Sequence, residues 1–411
     1  MSVQAAQARF NPFSAEFRRD PYPAYRQLRE TKPVHRTMGM WVLTRHAEVR
    51  EVLHDRTFGA GLIPSLVRQH AARFGYDDVG QLERLGEKSL VFTDNPEHAR
   101  LRGIVNRVFT APAVAQLRPR IAARAAELID GVWRNGGGDF VADVAARLPV
   151  DVMCDWMGLP DGLRAQVGQW THDVRFLLEP GLMKSEDFAH VREVVATFAK
   201  ALDEVVAARR AEPGDDLISR LLATTTAGGD RLTDEELVFV CVMCFVAGNE
   251  TTKSLIGNAL LALLQHPDQD ELLRREPELV PRMVDEALRY DCPLQQTKRL
   301  ATREVELGGQ RIAPGDQVLV CLGAANRDPE VFARPDEFDI TRDARRHLAF
   351  GHGMHGCLGG LLAEAQAAVV FETLYRRPEH LELASGDLDW QDQSFIIRGL
   401  KALPVTVRGG R

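Results

Sequence analysis

The sequence predicts a mainly α-helical fold with a minor β-sheet region, organised as one domain over residues 1–411. Three observations predict it. From His98 to about Arg209, apolar residues recur at helical spacing. Thr233 and Glu236 form a capping box ahead of an apolar run that continues to His266 and stops at Pro267. That spacing predicts one helix of about 32 residues, roughly 48 Å long, through the middle of a large domain. Residues 303–321 alternate and carry Gly308, Gly309, Pro314 and Gly315, the pattern of a small sheet with tight turns.

The remaining elements follow in order. Tyr22 to Arg29 reads as a helix, and Met40 to Leu43 as a short strand ahead of a second helix. Residues 59–90 are rich in Gly, Arg and Gln with weak periodicity, which predicts a long mobile loop with short helical pieces. Glu179, Pro180 and Gly181 break two helices. Glu271 to Tyr290 reads as helix again. A Gly-rich loop over residues 351–360 precedes a helix to about Arg377, and Phe395 to Val407 reads as strand.

The composition is that of a globular protein, 45% hydrophobic and 27% charged, with a net charge of −7. A chain of 411 residues can bury a large core and still enclose a cavity. The acidic balance argues against a nucleic-acid partner, which needs a basic footprint. Of the six cysteines none forms a CxxC pair, and Cys241 and Cys244 lie inside an apolar run as core residues do. Sparse cysteine points to a reducing compartment. The first residues lack an apolar signal core. The run Leu237 to Gly248 is too short to span a bilayer. A soluble, cytoplasmic monomer without membrane contact is expected.

The strongest local signal is Phe350-Gly351-His352-Gly353-Met354-His355-Gly356-Cys357-Leu358-Gly359. Its four glycines let the backbone turn tightly and approach a flat ligand. Cys357 precedes a helical run, and a helix N-terminus favours thiolate over thiol. A thiolate is the ligand an iron porphyrin needs to promote O–O cleavage. A second segment, Ala247-Gly248-Asn249-Glu250-Thr251-Thr252, places a glycine, an acid and two threonines midway along the long apolar helix. Gly248 costs about 1 kcal/mol there relative to alanine. The set suggests a local opening where water or ligand binds. A third, Glu286 and Arg289, is an i, i+3 pair on one helix face.

Together these residues resemble the cytochrome P450 family, soluble bacterial type, across about Asn11 to Val407. Phe350, Gly353, Cys357 and Gly359 complete its Phe-x-x-Gly-x-x-x-Cys-x-Gly signature. Glu286 and Arg289 match its structural Glu-x-x-Arg pair, with Arg334 and Arg342 as candidate third partners because Glu337 stands where many members have arginine. The resemblance implies a haem-thiolate monooxygenase with the long helix over haem b (iron protoporphyrin IX), and Cys357 as iron ligand. His98, Arg102, Arg299 and His355 match propionate-binding positions. Ala247, Gly248, Phe350, Gly351 and Gly359 match other cofactor contacts. Glu250 would relay protons and Thr251 would orient water or hydroperoxide, since oxygen reduction consumes protons in a site that otherwise excludes water. Thr252 is expected to pack or to bond backward to the preceding turn.

The implied substrate pocket draws on residues 62–92, residues near His172 to Met183, Met243, Val246, Ala247, Leu294, Gln295, Gln296, Phe395 and Ile396. It is mainly apolar with a polar corner at the two glutamines, and suits a terpenoid, steroid, fatty acid or polyketide. Alternatives are an oxidase that couples or desaturates, and a non-catalytic haem sensor, which would not need Glu250 and Thr251. Electrons from NAD(P)H are expected through a separate ferredoxin or flavodoxin and its reductase. Arg100, Arg107, Arg345 and Arg346 are expected to form a basic patch for that partner. Glu364 stands where many relatives carry arginine, which would weaken the patch.

Overall fold

The computed structural model describes residues 10–76, 79–226, 228–384, 386 and 388–409. The chain falls into two compact units. The first comprises Met1–Gly59, Gly257–Cys357 and Gly386–Ala402, and the second Ala60–Ile256, Leu358–Ser385 and Leu403–Arg411.

The first unit is built on a five-stranded sheet in the order Val34–Thr37, Met40–Leu43, Gln317–Cys321, Gln296–Ala301, Phe58–Gly59. Met38 and Gly39 connect the first two strands with φ of 50° and 76°, the left-handed pair that a two-residue hairpin turn requires. Only the pairing of Met40–Leu43 with Gln317–Cys321 is parallel. The helix Tyr22–Thr31 buries Tyr22, Tyr25 and Leu28 in a cluster with Phe10, Phe17, Val42 and Leu319. The expected strand at Met40–Leu43 is present, as is the following helix, His46–His54. The stretch read as one helix from Glu271 to Tyr290 is two, Pro267–Arg275 and Val280–Tyr290, parted by a short turn at Pro277–Leu279. Proline favours a first-turn position and interrupts a helix interior, so it restarts the helix here.

The second unit is helical with a three-stranded sheet, Gly137–Asp139, Pro404–Arg408 and His380–Leu383. Residues 59–90, expected as a long loop with short helical pieces, hold the helices Leu62–Arg73 and Gln81–Lys88. Each buries its own apolar stripe, Leu62, Val67 and Ala71 in one and Leu82 and Leu85 in the other, so tertiary packing prevails over weak local periodicity. Phe395–Val407 is not one strand; the regular pairing covers only Pro404–Arg408.

The long helix is Asp234–Gln265, 32 residues. Its capping box is formed: the Thr233 amide donates to Glu236 at 2.8 Å and the Glu236 amide donates to Thr233 Oγ1 at 3.2 Å. By length and apolarity this helix could cross a bilayer, yet 67% of its most apolar stretch is buried inside the protein, as in a core helix.

Candidate active site

Midway along the long helix the burial is interrupted between Cys244 and Lys253. Met243, Val246, Asn249 and Thr252 are buried, while Ala247 is exposed and Gly248, Glu250 and Thr251 are partly exposed. A Cβ built on Gly248 would meet nothing within 4 Å. The helix thus presents a smooth patch with no projecting side chain at residues 247–248, and polar groups begin at its edge. Thr251 Oγ1 donates to the Ala247 carbonyl at 2.8 Å. Thr252 is packed inside, one of the two placements expected for it, and the threonine that bonds back to the preceding turn is Thr251.

Glu250 sits among basic side chains. Its Oε2 accepts from Lys253 Nζ at 2.9 Å, and its Oε1 lies 3.5 Å from His172 Nδ1. His172 Nε2 in turn lies 3.3 Å from Arg175 Nη2. Burial alone would raise the Glu250 pKa, but the contacts with His172, Lys253 and Arg175 outweigh it and hold it at about 2. Glu250 is therefore ionised at neutral pH. Lys253 was visible in the sequence as an i, i+3 neighbour, but His172 and Arg175 come from another helix and the turn after it.

In the first unit the cysteine loop is held by its own backbone. The Cys357 amide donates to the Phe350 carbonyl at 2.8 Å and the Gly351 amide to that of Leu348 at 2.8 Å. Gly353 has φ of 72°, and a Cβ there would lie 2.7 Å from the Leu53 carbonyl oxygen. Only glycine lets the loop rest on the helix His46–His54. Cys357 is exposed, whereas Cys154, Cys241, Cys292 and Cys321 are buried. Burial pushes the thiols of Cys154 and Cys292 up to about 12 and raises those of Cys241 and Cys321, so these four stay protonated. The helix Gly360–Tyr375 begins three residues after Cys357, with Gly359 as its N-cap.

Behind the loop lies the Glu286–Arg289 pair, both side chains fully buried. Arg289 Nε and Nη2 donate to the two Glu286 oxygens at 2.7 and 2.8 Å. Its remaining N–H groups reach the carbonyls of Asn326 at 3.1 Å, Pro335 at 2.7 Å and Glu337 at 3.0 Å. All five guanidinium donors are satisfied. Glu286 Oε1 also accepts from the Asp339 amide at 2.9 Å and from Arg342 Nε at 3.2 Å. The third partner is therefore Arg342. Arg334 pairs at the surface with Glu337 at 2.7 Å. Asn326 Oδ1 accepts from the Leu348 amide at 2.6 Å, which ties this cluster to the start of the cysteine loop. His347, beside it, is pushed down to about 4, first by burial and then by Arg289.

The other expected residues lie as follows. His98 is buried on the helix Glu97–Val105, where Arg102 Nε donates to Asn106 Oδ1 at 3.0 Å. Arg299 is buried in the strand Gln296–Ala301 and bonds Thr297 and the Lys298 carbonyl. His355 closes the short turn Gly353–His355. Leu294 bridges Ile397, and Phe395 packs edge-on to Phe13 at 5.2 Å beside the buried Ile396. Gln295 and Gln296, expected at a polar pocket corner, lie in the first unit. Both are buried, and their amide nitrogens donate to Tyr22 at 3.2 Å and Tyr25 at 3.1 Å in the core of the first unit.

The comparisons with known proteins agree with this geometry. Residues 169–392 match the family model described as Cytochrome P450. The chain is 36% identical over 405 residues to 6-deoxyerythronolide B hydroxylase of Saccharopolyspora erythraea, covering 96% of this chain and 98% of that one. The chain belongs to the cytochrome P450 family. It is also 36% identical to vitamin D(3) 25-hydroxylase of Pseudonocardia autotrophica, over 96% of each chain. The solved structure of P450BioI in complex with a hexadec-9Z-enoic acid ligated acyl carrier protein matches with a TM-score of 0.86 at 33% identity, covering 96% of this chain and all of that one.

As a cytochrome P450 of the bacterial type the protein is a monooxygenase, an oxidoreductase, and the family implies a haem. Each unit by itself holds residues that suit that group: an accessible cysteine thiol on a glycine loop in the first, and a helix face kept bare at Ala247 and Gly248 in the second. The expected basic patch for a redox partner needs correction at Arg100. Its guanidinium bonds Glu97 at 2.5 Å and the buried Glu236, so its charge is internally balanced. Arg345 is likewise paired, with Asp343 at 2.7 Å.

Proposed function

We propose that this cytochrome P450 inserts one atom of O2 into a mainly apolar small molecule, using electrons delivered by a separate ferredoxin-type protein. The observation that carries the reading is the bare Ala247–Gly248 face flanked by an ionised acid, Glu250, and a hydroxyl, Thr251, on an otherwise buried helix. A non-catalytic haem sensor has no use for such a pair.

Cys357 would ligate the haem iron, and His98, Arg102, Arg299 and His355 would neutralise the propionates. When bound, the haem supplies the reductive activation of O2. This chain's own residues do the rest. Ala247 and Gly248 leave room for a small molecule beside the helix. Met243 and Val246, packed inside, keep that stretch dry. Thr251 shares its hydroxyl with the Ala247 carbonyl and can turn it toward a proton acceptor. Glu250 passes protons to it. Relatives named for 6-deoxyerythronolide B and vitamin D(3), and one bound to a fatty acyl carrier protein, support large apolar substrates bearing few polar groups.

The test is the carbon monoxide spectrum of the reduced protein. The wild type is expected to show the red-shifted Soret band of thiolate haem, and Cys357→Ser to lose it while keeping its fold. A Cys357→Ser protein with the thiolate band and full activity would overturn the assignment. Substrates are then found by the spin-state shift across a library of macrolides, sterols and fatty acyl compounds. With any substrate so found, Thr251→Ala should keep consuming NAD(P)H while diverting oxygen to peroxide. Unchanged coupling would remove Thr251 from the proton path.

A further inference from the structure

We infer that His172 is the positioning residue through which solvent protons reach Glu250, with Arg175 as its gate; the inference rests on the monooxygenase reading above. The argument starts from what Glu250 cannot do. A carboxylate held at about 2 stores no proton at neutral pH, so each proton it relays must arrive from a neighbour. Its basic neighbours are Lys253 on its own helix, His172 on the helix Arg164–Val174 and Arg175 in the turn that follows. Arginine does not release a proton in proteins. A lysine ammonium holds its proton far above neutral pH. Histidine is the side chain that takes up and releases protons between about pH 5 and 8. It is also the better connected to solvent, with a side-chain exposure of 44% against 22% for Lys253.

The ring orientation is fixed by its neighbours. A guanidinium only donates, so the 3.3 Å contact makes His172 Nε2 an acceptor from Arg175. The ring proton is then on Nδ1, which faces Glu250 Oε1 at 3.5 Å. In this state the imidazole clamps the carboxylate but has no second proton to give. When Nε2 takes a proton from water it can no longer accept from Arg175, and two cations face each other. The contact opens, and Arg175 is retained by the negative charge of Glu179 and Asp173, both within its electrostatic reach. The imidazolium then passes its Nδ1 proton to Glu250 Oε1 and is left neutral with its proton on Nε2. Charge and protons balance: one proton enters at Nε2 and one leaves at Nδ1. Exchange with water resets the ring, and Arg175 closes again.

Two substitutions separate this role from a structural one. Gln at position 172 can still donate to Glu250 but cannot take up and pass on a proton; Phe can do neither. The first readout does not depend on activity: the infrared carboxyl band of Glu250 in the holoenzyme, isolated by subtracting the spectrum of the matching Glu250→Gln protein. In His172→Phe the protonated band is expected at a pH higher than in wild type by roughly one unit or more, with His172→Gln close to wild type. The second readout is turnover with a ligand from the spin-state screen. His172→Gln is expected to lose about tenfold in rate, below the 10²–10⁴ of a direct general acid. Added imidazole is expected to restore His172→Gly. Wild-type turnover in His172→Gln, no rescue of His172→Gly by imidazole, or an unmoved Glu250 band in His172→Phe overturns the inference. Failure of the monooxygenase reading shows separately, as a wild type without the thiolate band; failure of this inference shows as a normal band with an indifferent His172.

Discussion

Two carboxylates in this protein share one sequence pattern and have opposite surroundings. Glu286 and Glu250 each lie on a helix with a cation three residues later, Arg289 and Lys253. Around Glu286 both partners are fully buried and every guanidinium donor has an acceptor. Around Glu250 the side chains are 17% and 22% exposed, and one of the contacts is a half-exposed histidine at 3.5 Å. The first arrangement is closed and has nothing left to exchange with solvent. The second is held by fewer and longer contacts and opens to solvent through a group that can change its charge. An i, i+3 acid–base pair therefore says little by itself. The number of additional donors and the path to water decide whether it is a structural pin or a proton relay.

The largest effect expected from this contrast is on the closed cluster. Glu286→Gln leaves Arg289 and Arg342 facing each other without their carboxylate, and breaking a buried pair from one side costs about 3–5 kcal/mol. Thermal or urea unfolding should show a loss of that size, together with poor haem retention, because Asn326 links the cluster to the cysteine loop. Glu250→Gln should fall well short of that loss in the same assay while slowing turnover. Equal destabilisation by the two substitutions would erase the distinction between pin and relay.

Acid should separate the clusters in sequence. His347 beside Arg289 has its folded pKa depressed to about 4. The unfolded chain binds a proton at that histidine near pH 6.5, so the stability it contributes is present above 6.5 and is lost as pH falls toward 4. Glu250 is depressed to about 2, so its contribution is present above about 4.5 and is lost as pH falls toward 2. Each amounts to something on the order of 3 kcal/mol at most. The region of the cysteine loop should thus weaken first and the Glu250 cluster second. Unfolding free energies measured across pH 7 to 3 should show a shallower loss for His347→Gln above pH 4. The gap between wild type and Glu250→Gln should shrink only below pH 4.5. A gap that stays constant down to pH 3 would mean that Glu250 carries no such coupling.

How much of this was legible in the sequence depends on the range of the contacts. Thr233 and Glu236 are three residues apart, and their reciprocal bonds were readable because capping is local. The cysteine loop was readable for the same reason: its glycines answer to their own backbone geometry. The bonds of Gln295 and Gln296 to Tyr22 and Tyr25 were not readable, because those partners are more than 270 positions away in the chain. His172 was read only as one end of a pocket-lining stretch, since nothing near it announces Glu250, 78 positions later. Helices such as Gln81–Lys88 were expected only as unplaced short pieces, because eight residues with an internal glycine carry little intrinsic preference, and burial of Leu82 and Leu85 supplies the rest.

The smallest effect tests the edge of the closed cluster. Two arginines of the Pro335 segment compete in the sequence for the role of third partner, and the structure separates them by burial. Arg342 is 10% exposed and donates to Glu286 Oε1 at 3.2 Å. Arg334 is 66% exposed and reaches only Glu337 at 2.7 Å and Asp339 at 3.7 Å. Removing a charge-assisted hydrogen bond to a buried carboxylate costs about 1.5–3 kcal/mol. Removing an exposed ion pair costs about 0–1 kcal/mol, since water and salt already screen it. Arg342→Ala should therefore destabilise clearly, and Arg334→Ala should fall within about 0.5 kcal/mol of wild type. In the Glu286→Gln background the cost of Arg342→Ala should shrink, because the two share one interaction, whereas that of Arg334→Ala should add independently. If Arg334→Ala couples to Glu286→Gln and Arg342→Ala does not, the third partner has been assigned to the wrong arginine.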